Sequence, residues 1–463
     1  CGFGPQPAGT GIAVDDGIAP YRLVGPISLC VGSTRVVSSA RVSTQGTGTC
    51  VPEAREPYLC GEGVGVCPGR ETCVCGLCTT VICRDTSECP TGLSCVSSRC
   101  TQRCSGDGDC ATGEVCDRGG CTLPCESDDG CAFGETCSMR TGLCGVSRCG
   151  GGGPACGGGE RCEAQQTVGD VSEPFVIAQG ATTVLYYSSV GDDGTSVIYR
   201  AESTDGVLFT SVPTEPVLRA DDAGGARAPA IDILDDGTID VFFEAGDGRE
   251  IRIARASDGI TFSEPVPVLQ PAAPWEQGHI ASPAAVRIEN ELLLFYAGGR
   301  GAGIGLARGY DTGALERADA PVVGPESLLD DPFWRGIDRV GSPYVTIHTS
   351  ALGERSLRLF VTARGAEGSS TVGAGMAAPP PLNESIGVMV SPVPPAGGAP
   401  TFERWPFNPI FARVAELGGY RSEREPAVID LGRQHRMYLV GADVTGTEVE
   451  GILLAVNPVE QRR

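Results

Sequence analysis

A proline at the head of a short apolar segment recurs five times in the C-terminal part of this 463-residue chain. It stands in Glu173-Pro174, Ala228-Pro229, Ser282-Pro283, Ser342-Pro343 and Glu425-Pro426, at spacings of 55, 54, 60 and 83 residues. A second apolar run follows each landmark: VLYYS (184–188), IDVFFEA (239–245), ELLLFYAG (291–298), LRLFVTA (357–363) and RMYLVGA (436–442). A third comes after it: SVIYRAES (196–203), EIRIARAS (250–257), GIGLARG (303–309), IGVMVS (386–391) and GILLAVN (451–457). Runs of this length, rich in β-formers and bounded by Gly, Asn and Asp, read as strands. The first two units add a fourth strand after matching turns, Ser203-Thr204-Asp205-Gly206 and Ser257-Asp258-Gly259, built on the hairpin dipeptide Asp-Gly.

Repeats of about 50–60 residues, each a four-stranded meander, predict an all-β fold, a five-bladed β-propeller. The long last spacing is assigned to insertions, including the Ala/Pro-rich stretches 377–381 and 392–400. The fifth unit has no segment left for an outer strand, so the ring must borrow one. Two donors are available: residues 162–171, or an N-terminal stretch where Asp16-Gly17-Ile18 and Gly25-Pro26-Ile27 loosely echo the second unit. The second donor would turn the intervening chain into an insertion. The expected organisation is a tether with a short β segment (1–59), tandem cysteine repeats (60–163) and the propeller (164–463).

All 23 cysteines lie between Cys1 and Cys162. Cys83, Cys89, Cys95 and Cys100 are followed 21 residues on by Cys104, Cys110, Cys116 and Cys121, then by Cys125, Cys131, Cys137 and Cys144. A unit this short cannot bury a useful core, so disulfides must hold it, and that requires an oxidising compartment. Their connectivity is not readable from the spacing. Zinc would need Cys or His ligands in closely spaced pairs, whereas five intervening residues dominate here and the three histidines (His279, His348, His435) lie far downstream. The acidic pairs Asp107/Asp109 and Asp128/Asp129 lack the alternating ligand set of a calcium loop and read as solvated turns. No metal and no cofactor is expected. The array resembles the small Cys-rich repeats of exported bacterial proteins and Dickkopf-like modules, which implies a stiff, protease-resistant spacer.

A chain beginning Cys1-Gly2 and continuing through a Pro/Gly-rich stretch resembles a mature bacterial lipoprotein. That implies lipidation of Cys1, a membrane association through this anchor alone, and an outer-membrane or cell-surface location, with a periplasmic or secreted protein as the alternative. Formal net charge is −23. It keeps the chain soluble and disfavours nucleic acid, whose binding rests on phosphate neutralisation. The sequence contains no lysine, which excludes Schiff-base chemistry and a Walker-type phosphate lysine.

The blade starts and Ser-x-Asp-Gly turns resemble those of the five-bladed glycoside hydrolase superfamily (families 43, 32 and 68) over roughly residues 164–463. The resemblance implies a central pocket lined by the innermost strands, with a base Asp in the first blade, a pKa-tuning Asp in the second and an acid Glu in the third. Glycosidic cleavage needs such a carboxylate pair. This chain departs from the pattern: the matching positions hold Glu173, Ala228 beside Arg227, and Ser282. Glu425 takes the same place in the fifth unit, so Glu173, Glu425 and Asp338 are the catalytic candidates, with Asp221, Asp222 and Glu276 in nearby loops. Pairing of these carboxylates with Arg227, Arg339 and Arg424 is the competing reading.

Each tryptophan (Trp275, Trp334, Trp405) precedes an inner strand, and such connections emerge on one face of a propeller. With Arg227, His279, Arg339 and Arg424 they are the candidate ligand-binding residues; packing between blades would explain the indoles equally well. The sequence is therefore expected to encode an exported protein that binds carbohydrate or glycoconjugate. A divergent glycoside hydrolase and a scaffold for an envelope protein partner are the alternatives.

Overall fold

In the computed structural model the described residues are 21–31, 34–36, 48–52, 72–74 and 77–79, most of 89–149, and 160–164. In the C-terminal part they are 171–190, 195–220, 224–328, 337–350, 352–365, 384–406, 408–410, 422–431, 434–442 and 451–458. Apart from short 3-10 turns, their regular structure is β.

Five antiparallel sheets form the blades of a propeller. Their inner strands are Val171–Gln179, Ala226–Ile233, Ile280–Ile288, Ile337–Thr349 and Ser422–Asp430, each opening on a proline landmark. The second strands are Thr182–Val190, Ile239–Ala245, Glu291–Gly298, Arg355–Gly365 and Gln434–Ala442. They are apolar on both faces because a blade is covered on both sides by its neighbours. Tyr186, Phe242, Phe295, Phe360 and Tyr438 occupy one register position in the five sheets and are fully buried. Burying such a side chain stabilises the fold by about 1.5–3 kcal/mol.

Ring closure falls to the N-terminal stretch. Arg22–Pro26 pairs antiparallel with the last strand, Gly451–Pro458, and becomes the outer strand of blade five. The next segment, Ser28–Val31, crosses to blade one and lies parallel to its outer strand Leu208–Ser211. Tyr21, Ile27 and Leu29 are buried in the main hydrophobic cluster. One continuous segment thus clasps two adjacent blades. Residues 162–171 do not serve as the donor: Glu160–Ala164 pairs instead with Gly48–Pro52, setting Cys162 opposite Cys50. The cysteine repeats are therefore an insertion between the clasp and blade one. The short segment expected as part of 1–59 contributes residues 21–36 to the propeller's own sheets.

Within the repeats, Cys104 bonds Cys116 and Cys110 bonds Cys121. Cys125 bonds Cys137, Cys131 bonds Cys144, and Cys89 bonds Cys100. First joins third and second joins fourth, across loops for which a disulfide contributes about 3 kcal/mol each. Cys95 is also disulfide-bonded; Cys83 lies outside the described residues. The units pack closely: a side chain at Gly120 would strike Val96 and Thr101 of the unit before it, and one at Gly145 would press on Ser97, two units back.

The Asp-Gly turns prove to be blade-to-blade latches. The Asp205 carboxylate accepts from the Val207 and Leu208 amides and the Ser203 hydroxyl, closing the turn. The turn then presents the Gly206 carbonyl to the Tyr438 hydroxyl of blade five at 2.9 Å. Tyr186 of blade one makes the same 2.9 Å bond to the Gly259 carbonyl of blade two. A side chain at Gly206 would strike the Arg436 guanidinium, which fixes glycine there. Tyr438→Phe should cost about 1–2 kcal/mol, since it strands a buried carbonyl. A urea midpoint lowered at unchanged slope would report that loss.

Candidate functional site

Every inner strand breaks its register with its neighbour at the landmark, between Ser172/Phe175, Arg227/Ala230, Ala281/Ala284, Gly341/Tyr344 and Arg424/Ala427. The residue before each proline is left-handed: φ is 51° at Glu173, 52° at Ala228, 45° at Ser282, 44° at Ser342 and 56° at Glu425. Non-glycine residues in this region cost about 1 kcal/mol or more each and persist only where the surroundings hold them. The bulge turns each residue towards the propeller axis. There the five residues, their prolines, Phe175 and Tyr344 line one cavity of about 30 Å³.

The amides of Glu173, Ala228, Ser282 and Glu425 are each served by a side chain of the blade before them in the ring. Glu173 N–H donates to Glu425 Oε2 at 2.7 Å. Ala228 N–H donates to Glu173 Oε2 at 2.9 Å and to Ser188 Oγ at 2.8 Å. Ser282 N–H reaches Glu244 Oε2 at 3.3 Å, and Glu425 N–H reaches Thr362 Oγ1 at 2.9 Å. The remaining carboxylate oxygens meet arginines. Arg227 lies 3.1 Å from Glu173 Oε1 and 3.5 Å from Glu244 Oε1, while Arg424 Nε lies 3.0 Å from Glu425 Oε1. Arg424 also reaches Glu384 at 3.4 Å.

Glu244 went unnoticed in the sequence because IDVFFEA reads simply as a buried strand. It is 1% exposed, and burial pushes its carboxyl up to about 7, with Arg227 opposing and Glu173 adding to the shift. Arg227 is pushed up as well, first by the Glu173 charge, against its own burial and with help from Glu244, so it stays charged. Glu173 Oε1 and Glu244 Oε1 share Arg227 Nε as a partner, at 3.2 and 3.5 Å.

The other candidates are more dispersed. Asp338 and Arg339 are exposed at the start of the blade-four inner strand. Glu276 is fully buried, bonded to Arg317 at 2.6 Å, to the Tyr296 hydroxyl at 2.7 Å and to the Ala272 and Ala273 amides. That network anchors the connection carrying Trp275 and His279. Trp275 is half-buried, stacks on Tyr296 at 6.0 Å and covers Gly298. His279 lies against Gly248, its pKa lowered first by burial and then by Arg300. Trp405 packs against the main hydrophobic cluster. Trp334, Asp221, Asp222 and Cys1 lie outside the described residues. The close sulfurs of Cys104, Cys110 and Cys121, and of Cys125, Cys131 and Cys137, are disulfide sulfurs.

No family model matches the sequence, and no curated protein is similar to it. Among solved structures, a glycosyl hydrolase from Bacteroides ovatus is 14% identical, with a TM-score of 0.44, over 64% of this chain and 86% of that one. A thermostable family-43 glycoside hydrolase is 18% identical over 55% of this chain and 85% of its own, with a TM-score of 0.39. An α-L-arabinofuranosidase from Podospora anserina, solved with cellotriose, is 8% identical over 63% and 92%, with a TM-score of 0.42. The five-bladed fold itself rests on the sheets and the ring closure described above.

Proposed function

We propose that the propeller binds neutral glycans or glycoconjugates at the axial mouth and does not cleave them. The observation that carries this reading is the engagement of the axial carboxylates. Both oxygens of Glu173, Glu425 and Glu244 already face a protein N–H or guanidinium. A hydrolytic pair needs a free proton donor, and an attacking water or nucleophile beside the sugar. The half-exposed Arg227, together with His279 and Trp275 on the adjoining connection, supplies donors and an aromatic edge for binding at the mouth. The disulfides suit an oxidising compartment, so the protein is read as exported.

Exposing the oxidised full chain to a panel of defined oligosaccharides, with mass spectrometry of what is retained and what is formed, tests the reading. Retention without new products is expected, weakened about tenfold in Trp275→Ala. A folded protein that retains no oligosaccharide would sink the proposal and redirect attention to an envelope protein partner. One observation favours a second reading, a divergent glycoside hydrolase: Glu244, pushed up to about 7, stands beside Glu173 as an acid beside a carboxylate.

A further inference from the structure

The axial ring is incomplete in one sector. Ser188, Glu244, Ala297 and Thr362 occupy corresponding positions near the ends of the second strands of blades one to four. Ser188, Glu244 and Thr362 each accept the N–H of the bulged residue in the following blade. Val440 holds this position in blade five, and there the Glu425 side chain supplies the acceptor for Glu173. In blade three the position is Ala297, which has no acceptor to offer the following bulged residue, Ser342. Ala297 does face that site: a Cβ built on Gly341 would stand 3.9 Å from the Ala297 methyl. Ser342 shares the left-handed conformation of the other four, yet among the described residues no side-chain acceptor reaches its N–H. Ser342 is half-exposed on the cavity wall and its N–H lacks the side-chain acceptor that serves its four counterparts, so an oxygen from outside the chain can take that place.

We propose that the sector between blades three and four is a hydroxyl-binding subsite, in which an oxygen of a neutral polyhydroxylated ligand accepts the Ser342 N–H. The inference rests on the glycan-binding reading and assigns it a contact point. Charge selects the ligand class: Glu173 and Glu425 line the same cavity with Glu244 behind them, and Arg227 lies between Glu173 and Glu244. A carboxylate or phosphate would be repelled there, whereas a hydroxyl can accept from Ser342 and donate to a carboxylate oxygen, which has a second lone pair to offer. Ser282 and Ser342 line the same wall and add hydroxyl partners.

The ring itself supplies the test, because Ser and Thr already perform the missing role at positions 188 and 362. In the oxidised full chain, Ala297→Ser and Ala297→Thr should fill the vacancy from within. The melting temperature should rise by about 1–3 °C for one restored hydrogen bond. Affinity for a retained oligosaccharide should fall about tenfold, since its hydroxyl is displaced. Unchanged melting and unchanged affinity would overturn the proposal. A melting gain with unchanged affinity would overturn the subsite alone and leave glycan binding standing elsewhere on the propeller. If the wild-type chain retains no oligosaccharide but the variants still melt higher, the vacancy holds water only, and both the subsite and the functional reading fall.

Discussion

Leu29→Ala is expected to lower the melting temperature of the propeller by roughly 5–15 °C, although it lies far in sequence from the blades it stabilises. Leu29 is 3% exposed and belongs to the same hydrophobic cluster as the second strands of blades one, two and five. Truncating a fully buried leucine costs about 2–5 kcal/mol, and each kcal/mol moves the midpoint of a domain this size by about 2–4 °C. The effect should exceed that of a comparable truncation in an ordinary outer strand, because Ser28–Val31 and Arg22–Pro26 tie blade one to blade five. Deleting residues 1–36 should go further. It bares the outer edge of the last strand and opens the ring, an arrangement prone to aggregation. Scanning calorimetry checks the substitution, and size-exclusion chromatography of the deletion checks the clasp. A monodisperse deletion that melts like the full chain would mean the ring closes without it.

The second large effect concerns pH. Glu244 has a folded pKa raised from 4.5 to about 7, mainly by burial. Below about pH 4.5 both the folded and the unfolded chain hold this proton, and the group does not bias folding. As pH rises from there towards 7 the unfolded chain releases it while the fold retains it, so stability falls. Above pH 7 the loss is complete, on the order of 3 kcal/mol. His279 and His435 act in the opposite sense: burial lowers both, so their contribution is lost as pH falls through the ordinary histidine range. Comparing wild type with Glu244→Gln removes the histidines from the difference, since both proteins carry them. The variant should be more stable at pH 8, with the advantage shrinking to nothing near pH 4.5. Parallel stability profiles for the two proteins would show that Glu244 is not the titrating group.

The blades were legible because their signals are local and repeated. IDVFFEA, ELLLFYAG and GIGLARG coincide with the strands Ile239–Ala245, Glu291–Gly298 and Gly303–Gly309. Ring closure was legible only as one of two options. The pairing of Arg22–Pro26 with Gly451–Pro458 joins the two ends of the chain, and a strand that short has no periodicity to identify its partner. The disulfide pairing, first to third and second to fourth, was closed to spacing arguments because equal intervals permit several connectivities.

At the axis, the proline landmarks brought Glu173 and Glu425 together, joined through the Glu173 amide. Arg227 and Arg424 are their partners, as the competing reading of these carboxylates had it. Glu244 escaped because its role depends on the following blade, not on its own strand. Aligning the second strands by register rather than by apolar run would have set Ser188, Glu244, Ala297, Thr362 and Val440 in one column. In that column, Glu244 stands out as the carboxyl and Ala297 as a position without an acceptor. Asp338, expected in a loop before an inner strand, falls in the first residues of the blade-four inner strand, four ahead of Ser342, and is exposed.

Recognition without cleavage is tested most directly by looking for the release of new reducing ends. An oligosaccharide retained by the full, oxidised chain is incubated with it from pH 5 to pH 8, a range that spans the titration of Glu244. The oligosaccharide should stay bound and be recovered intact at every pH. New reducing ends that appear with wild type and vanish in Glu173→Gln or Glu244→Gln would contradict it and establish a hydrolase.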